Sequence, residues 1–223
     1  MKYSRRGFLR ETFGGAATAA IAGQILKGTA SAQTALSPDA ALQQLIEGNQ
    51  RFAEGRMTSF EEDLDILRSK TAEKQEPFAA VLSCADSRVP VELLFDQSIG
   101  HLFVTRVAGN IATSELIASL EYGVAVLGTR AIMVLGHTNC GAVKASIDAK
   151  PVPGQISALY PYIRPAIDQA GTDLDAAIRA NAKIQAALLR QSSPVLIEHI
   201  KQNRLKIVAG YYDLASGKVT LLD

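Results

Sequence analysis

The most informative segment of this chain is Phe78-Ala79-Ala80-Val81-Leu82-Ser83-Cys84-Ala85-Asp86-Ser87-Arg88. Its apolar first half predicts a buried strand, and a thiol, a carboxylate and a guanidinium then follow at alternate positions, as Cys84, Asp86 and Arg88. Alternate residues of an extended chain point to the same side, so these side chains are expected to face one small volume. Ligands of open parallel sheets bind beyond the carboxyl ends of the strands. The stretch therefore predicts a functional site at one edge of a sheet.

The rest of the chain alternates strands with helices around this stretch. Further strands are predicted at residues 101–106 and 131–136, and a C-terminal strand hairpin at residues 206–212 and 218–222. A first helix is predicted from Ser37, which can cap it, and further helices at residues 61–76, 90–96, 114–127, 173–189 and 193–202 and from residue 142. Four prolines break up residues 150–170. This order predicts an α/β domain over residues 33–223, with a mostly parallel β-sheet flanked by helices.

A second apolar strand also ends in reactive residues. Residues 131–136 are continuously apolar, as in a strand buried on both faces of a parallel sheet, and His137-Thr138-Asn139-Cys140-Gly141 follows them. Two thiolates and one imidazole are three good zinc ligands, and catalytic zinc sites use three protein ligands plus an open position. The sequence therefore suggests that Cys84, His137 and Cys140 form one zinc site.

Residues 1–32 have the pattern of an export signal. The adjacent Arg5 and Arg6 precede a small-residue apolar run at residues 13–26, and Ala30-Ser31-Ala32 closes the segment. This pattern is typical of a cleaved signal, and the paired arginines resemble the twin-arginine type. A membrane-spanning helix is disfavoured because glycines dilute the run below the ~20 mostly apolar residues required. We expect export by the twin-arginine machinery and a periplasmic protein, or a membrane-anchored one if the signal is not cleaved.

The charge balance excludes a class of partners. The whole chain has 23 basic and 22 acidic residues, of which residues 1–32 hold five basic and one acidic. The remaining residues therefore carry 18 basic and 21 acidic side chains, a net charge of −3. A mildly acidic domain is a poor partner for nucleic acid or an anionic membrane.

Other interpretations of the two cysteines stay open on the residues alone. In an exported protein two cysteines could form a disulfide, and a thiol with a histidine base could act as a nucleophile. A buried cysteine is also often just a small apolar side chain. A disulfide leaves the nearby His137 unexplained, and a nucleophile leaves the second cysteine without a role. The combination of residues favours zinc.

The two motifs, Cys84-Ala85-Asp86-Ser87-Arg88 and Gly136-His137-Thr138-Asn139-Cys140-Gly141, resemble those of the β-class carbonic anhydrases. The resemblance spans residues 37–222. It implies a mostly parallel α/β fold, an N-terminal helical arm that embraces a partner subunit, and one Zn2+ per chain held by Cys84, His137 and Cys140. It also implies reversible hydration of carbon dioxide to bicarbonate and a proton by a zinc-bound hydroxide, in a homodimer or a dimer-based higher oligomer.

Roles for other residues follow from the same resemblance. Asp86 and Arg88 would form the catalytic dyad that orients the hydroxide. Gln75 matches a substrate-binding glutamine nine residues before the first cysteine. Phe103, Ala108 and Tyr122 match positions that line the small apolar substrate pocket of the family. Some of these positions are reached across the dimer interface.

One departure from the family pattern concerns the fourth zinc position. Bicarbonate-inhibited members carry a tryptophan three residues before the first cysteine, where this chain has Val81 and contains no tryptophan. With Gln75 present, the resemblance implies an open form, in which water completes the zinc and Asp86 stays paired with Arg88. Asp86 as the fourth zinc ligand stays an alternative. Two alternative functions also stay open: a related zinc hydrolase that acts on carbonyl sulfide or carbon disulfide, and a non-catalytic zinc-binding homologue.

Overall fold

Five strands form one sheet in the computed structural model, which describes residues 34–59 and 71–222. In chain order these strands are β1 (Ala79–Ser83), β2 (Leu102–Arg106), β3 (Ala131–His137), β4 (Lys206–Tyr212) and β5 (Val219–Leu221). Their spatial order is β2-β1-β3-β4-β5. The pairs among the first four strands are parallel, and β5 is antiparallel to β4. The α/β class, the mostly parallel sheet and the C-terminal hairpin are confirmed.

Helices connect the strands, as the alternating pattern predicts. They are α1 (Pro38–Ala53), α2 (Val91–Leu94), α3 (Ser114–Ala125), α4 (Gly141–Asp148), α5 (Tyr160–Ala170), α6 (Leu174–Ser192) and α7 (Pro194–Lys201). A short 3-10 helix, Ile156–Leu159, leads into α5. No helix among the described residues is long and apolar enough to cross a membrane. The predicted export signal, residues 1–32, lies outside the described residues.

Helices cover both faces of the sheet. On one face α1 packs on alternate strand residues, and the core there includes Ala41, Leu42, Leu45, Ala79, Val81, Met133, Leu135 and Val208. The opposite face packs against α3, α6 and α7, and its core includes Ala80, Leu82, Ile132, Val134, Leu120, Ala182, Ala186 and Leu196. Every residue of β1 and β3 is buried, as predicted for strands that are apolar throughout.

Helix α1 is anchored at both its start and its middle. The Ser37 hydroxyl accepts a hydrogen bond from the Ala40 N–H at 3.1 Å, so it caps the helix as predicted. Gly48 lies against the turn after α2, where an added Cβ would come within 1.8 Å of the Phe95 carbonyl oxygen. The glycine inside this helix is therefore a point of close approach between two backbones.

Two predictions about helices need correction. Of the helix predicted at residues 61–76, residues 61–70 lie outside the described residues, and residues 71–76 form a turn and irregular chain. The prediction is wrong for that last part, where Pro77 disfavours a helical conformation in the residue before it. The prolines of residues 150–170 do not prevent α5: Pro161 occupies its first turn, where an N–H lacks a partner anyway, and Pro165 lies inside it.

Candidate metal centre

Cys84 and His137 leave neighbouring strands at the same edge of the sheet. Strands β1 and β3 are parallel and pair Ser83 with Leu135, so Cys84 follows β1 beside the end of β3. His137 is the last residue of β3, and Cys140 directly precedes α4 as its N-cap residue. The ligand atoms of Cys84, His137 and Cys140 all lie within 4.8 Å of one another, and all three side chains are buried. The geometry therefore brings together the three residues that the sequence singles out.

A tight turn lets His137 and Cys140 face the same point. Between them Asn139 adopts a left-handed conformation with φ of 56°, which asparagine tolerates better than most residues. The Thr138 N–H donates to the Tyr212 carbonyl at 3.0 Å, and the Thr138 hydroxyl accepts from the Leu214 N–H at 2.9 Å. The hairpin that follows β4 thus holds this turn in place.

The imidazole of His137 is prepared to bind a metal. Its Nδ1 lies 2.9 Å from the Thr138 carbonyl oxygen, which can only accept, so Nδ1 carries the proton and Nε2 presents its lone pair. Nε2 is buried and has no hydrogen-bond partner. Metal-binding histidines commonly donate their second ring N–H to a carbonyl in this way. A zinc ion among the two thiols and Nε2 would satisfy this buried acceptor, so the donor set fits zinc.

The environment of the two cysteines favours one thiolate even without a metal. A hydrogen bond from the Cys140 thiol lowers the pKa of Cys84 against the effect of burial, and the contact with the Gly109 N–H acts in the same direction. The Gly109 N–H lies 3.3 Å from the Cys84 sulfur. The same contact with Cys84, together with burial, raises the pKa of Cys140. The thiolate is the form that binds metal ions.

A carboxylate held by a guanidinium stands beside the three ligand residues. Arg88 donates from Nε to Asp86 Oδ1 at 2.9 Å and from Nη2 to Oδ2 at 2.8 Å, and its backbone N–H also donates to Oδ1. The paired guanidinium holds the pKa of Asp86 well below its usual range. Asp86 Oδ2 lies 3.8 Å from His137 Nε2. An ionised carboxylate therefore lies within reach of whatever His137 binds.

A turn brings Asp86 and Arg88 to the site. Strand β1 ends at Ser83, and the Val89 N–H donates to the Asp86 carbonyl at 3.1 Å, which closes a turn over residues 86–89. The sequence predicts that Cys84, Asp86 and Arg88 face one side because the chain is extended there, and this reason is wrong. Arg88 reaches Asp86 because the chain bends back.

The comparisons with known proteins agree with this geometry. A family model described as carbonic anhydrase matches residues 79–219. The chain belongs to the β-class carbonic anhydrases. It is 35% identical over 195 residues to carbonic anhydrase 2 of Mycobacterium tuberculosis, covering 84% of this chain and 94% of the relative. It is 36% identical over 174 residues to a Pseudomonas aeruginosa carbonic anhydrase, covering 70% and 78%. The Coccomyxa β-carbonic anhydrase in complex with acetazolamide has a TM-score of 0.65 at 28% identity, covering 81% and 86%.

Sequence reasoning missed one side chain that supports the site of this β-class chain. Arg106 ends β2 in register with Ser83, and donates from Nε to the Cys84 carbonyl at 2.9 Å and from Nη2 to the Asp86 carbonyl at 2.6 Å. It fixes the segment that carries both the ligand and the carboxylate. A charged residue at the carboxyl end of a neighbouring parallel strand was the available signal.

The residues expected to bind substrate do not all lie near the three ligands within one chain. Ala108 lies near them, because it directly precedes Gly109, whose N–H contacts the Cys84 sulfur. Phe103 pairs in register with Ala80 of β1, which lies four residues before Cys84, or about 13 Å at roughly 3.3 Å per residue. The ring centroid of Phe103 lies 6.3 Å from that of Tyr122. Gln75 lies before the start of β1, at the edge of the sheet away from Cys84. It lines a cavity of about 230 Å³ with neighbours that include Thr71, Lys74, Ile99 and His101.

Proposed function

We propose that this chain is a zinc-dependent carbonic anhydrase, which catalyses the reversible hydration of carbon dioxide to bicarbonate and a proton. The observation that carries the proposal is the buried group of Cys84, His137 and Cys140, whose ligand atoms lie within 4.8 Å of one another beside an ionised carboxylate. A purely structural zinc site closes with a fourth protein ligand and needs no such carboxylate.

The three ligand residues would hold one zinc ion and leave a coordination position open. When bound, zinc lowers the pKa of a water molecule to about 7 and so supplies a nucleophile for carbon dioxide near neutral pH. The protein provides two of the ligands in the required form: the Cys84 environment favours thiolate, and the His137 tautomer leaves Nε2 free. The Cys140 thiol would lose its proton on binding the metal. Burial of all three side chains limits competing ligands from solvent.

Asp86 would orient the attacking oxygen by accepting its hydrogen bond at Oδ2. The carboxylate remains ionised at neutral pH because Arg88 holds its pKa well below the usual range. Asp86 can therefore accept a hydrogen bond but cannot donate one. A bidentate guanidinium–carboxylate pair fixes direction as well as charge. Because both oxygens of Asp86 already bond to Arg88, the arrangement supports the open form, in which Asp86 is not a metal ligand.

The substrate pocket would be completed by a second copy of the chain. Phe103 and Gln75 lie toward the other end of β1 from Cys84, so within one chain they do not reach its ligands. Strand β2 is an edge strand, and apolar side chains near it are exposed, including Tyr122 at 49% and Val126 at 48%. Pairing two copies along this surface would cover it and bring Gln75, Phe103 and Tyr122 of one copy toward the metal centre of the other. We therefore infer a homodimer as the smallest active unit.

Export is part of the proposal and rests on the sequence of residues 1–32. The twin-arginine route carries folded proteins, so zinc would be bound by reduced thiolates before the periplasm is reached. Cell fractionation of the chain and of a variant with Arg5→Lys and Arg6→Lys tests this. Equal periplasmic amounts of the two proteins would refute twin-arginine export.

The test of the activity is stopped-flow carbon dioxide hydration combined with metal analysis of the purified protein. We expect about one zinc per chain and hydration that is lost when the metal is removed by a chelator. Stoichiometric zinc without hydration would overturn the proposal. Parallel assays with carbonyl sulfide and carbon disulfide would show whether the same centre prefers those substrates.

A further inference from the structure

Two buried amide side chains lie one helical turn apart on α6, a helix that is otherwise rich in alanine on its buried face. Asn181 and Gln185 are 1% and 2% exposed. A buried amide without hydrogen bonds destabilises a protein, so such residues are normally paired. Here their partners lie mainly in the loop that follows β2.

The two amides hold both ends of this loop. Asn181 Nδ2 donates to the Gly109 carbonyl at 2.8 Å, and Gln185 Oε1 accepts from the Ala112 N–H at 2.9 Å. Gln185 Nε2 donates to Asn181 Oδ1 at 3.3 Å and to the Tyr162 carbonyl at 3.0 Å. The pair therefore acts as one unit, since Gln185 also fixes the orientation of Asn181.

The backbone between these ends is in a conformation that needs support. Gly109 and Asn110 are consecutive residues with φ of 81° and 45°, in the left-handed region. A non-glycine residue is uncommon there, and even asparagine keeps this conformation only when its surroundings determine it. The Gly109 peptide is held on both sides: its carbonyl accepts from Asn181, and its N–H points at the Cys84 sulfur at 3.3 Å.

We propose that Asn181 and Gln185 are positioning residues for the metal centre, because they hold the Gly109 N–H against the sulfur of Cys84. This inference rests on the proposed zinc function. Hydrogen bonds to an ionised acceptor are stronger than neutral ones, so the N–H stabilises the thiolate that binds the metal. Neither amide touches a ligand atom, and both act through the backbone of residues 109–112. Loss of an outer-shell partner typically lowers metal affinity 10- to 100-fold.

Asn181→Ala tests the proposal, and Gln97→Ala is its matched control. Gln97 is also a buried amide, but it lies between α2 and β2, and its partners are the Phe95 carbonyl and the Gln44 side chain, neither of which contacts the metal centre. Both variants lose a buried amide and should unfold more easily than the wild type. Zinc affinity is measured by competition with a chromophoric chelator, and the thiolate charge-transfer absorption is recorded with cobalt in place of zinc.

We expect Asn181→Ala to bind zinc about tenfold more weakly and to shift the cobalt absorption, while Gln97→Ala keeps the wild-type affinity and spectrum. Wild-type affinity and an unchanged spectrum in Asn181→Ala would overturn the proposal, as would an equal loss of affinity in both variants. If Asn181→Ala does not fold, Gln185→Met, of similar volume, removes the hold on Ala112 and is judged by the same outcomes. Wild-type protein that binds zinc but does not hydrate carbon dioxide would refute the proposed function and leave this inference standing.

Discussion

Asp96 is the buried charge that ties α1 to the rest of the chain. Its side chain is fully buried and pairs with Arg51 of α1 at 2.5 Å, and it accepts hydrogen bonds from the backbone N–H groups of Thr58 and Ser59. Burial alone raises the pKa of this carboxyl, but the bonds from Arg51, Ser59 and Thr58 outweigh burial and lower it from 3.8 to about 2. We therefore expect Asp96→Asn to destabilise the fold in a pH-dependent way.

The size and sign of this effect follow from the shift in pKa. The pKa of Asp96 differs by roughly two between the unfolded and the folded state, which corresponds to about 2 kcal/mol of stability at neutral pH. Because the folded-state pKa is the lower one, this contribution is fully present above the unfolded-state pKa near 3.8 and is lost as the pH falls toward 2. About half of it should be gone by pH 3.

The assay is urea unfolding of the wild type and of Asp96→Asn between pH 7 and pH 3. The difference in unfolding free energy should be constant from pH 7 to about pH 5 and then shrink, while acid effects on other groups cancel because both proteins share them. Asp39→Asn is the control, since its ion pair with Lys206 is exposed and should contribute little. A difference between wild type and Asp96→Asn that does not change with pH would refute the reasoning.

Three further predictions concern the site and the helix α1. Cys84→Ser should lose stoichiometric zinc and hydration together, and metal analysis that still finds one zinc per chain would remove Cys84 from the ligand set. Asp86→Ala should keep its zinc but lower kcat by about 10²-fold in stopped-flow assays, whereas wild-type turnover would exclude the orienting role. Gly48→Ala should lower the unfolding free energy by about 1–3 kcal/mol, because the new Cβ meets the Phe95 carbonyl at 1.8 Å; an unchanged urea midpoint would contradict this contact.

The sheet and the three ligand residues were predictable because their signals are local. Continuous apolar runs mark β1 and β3, and the reactive residues follow each run directly, so parallel pairing alone brings Cys84 to His137. Helix α5 was hidden by Pro161 and Pro165. A proline in the first turn is compatible with a helix, and the burial of Ile163 and Ala166 offsets the hydrogen bond lost at Pro165.

Apart from Arg106, whose place at a strand end was a signal, the support around the ligands was not predictable, because it comes from backbone groups and distant residues. The N–H that contacts Cys84 belongs to Gly109, 25 residues away, and its carbonyl is held by Asn181, another 72 residues along the chain. Neither residue carries a metal-binding or titratable side chain. Only the fold shows that an alanine-rich helix places its two amides on this loop.

Residues of β2 and of the loop after it support the first motif of the site from two sides. Arg106 of β2 holds the carbonyls of Cys84 and Asp86, and the loop after β2 offers the Gly109 N–H to the Cys84 sulfur. The His137 turn is fixed separately, by the hairpin after β4. Cys84 and the turn that carries His137 are thus each oriented by an element other than their own. In the proposed mechanism the Asp86 carboxylate tolerates little displacement, and this requirement accounts for the buried polar residues that hold its segment without contacting the substrate.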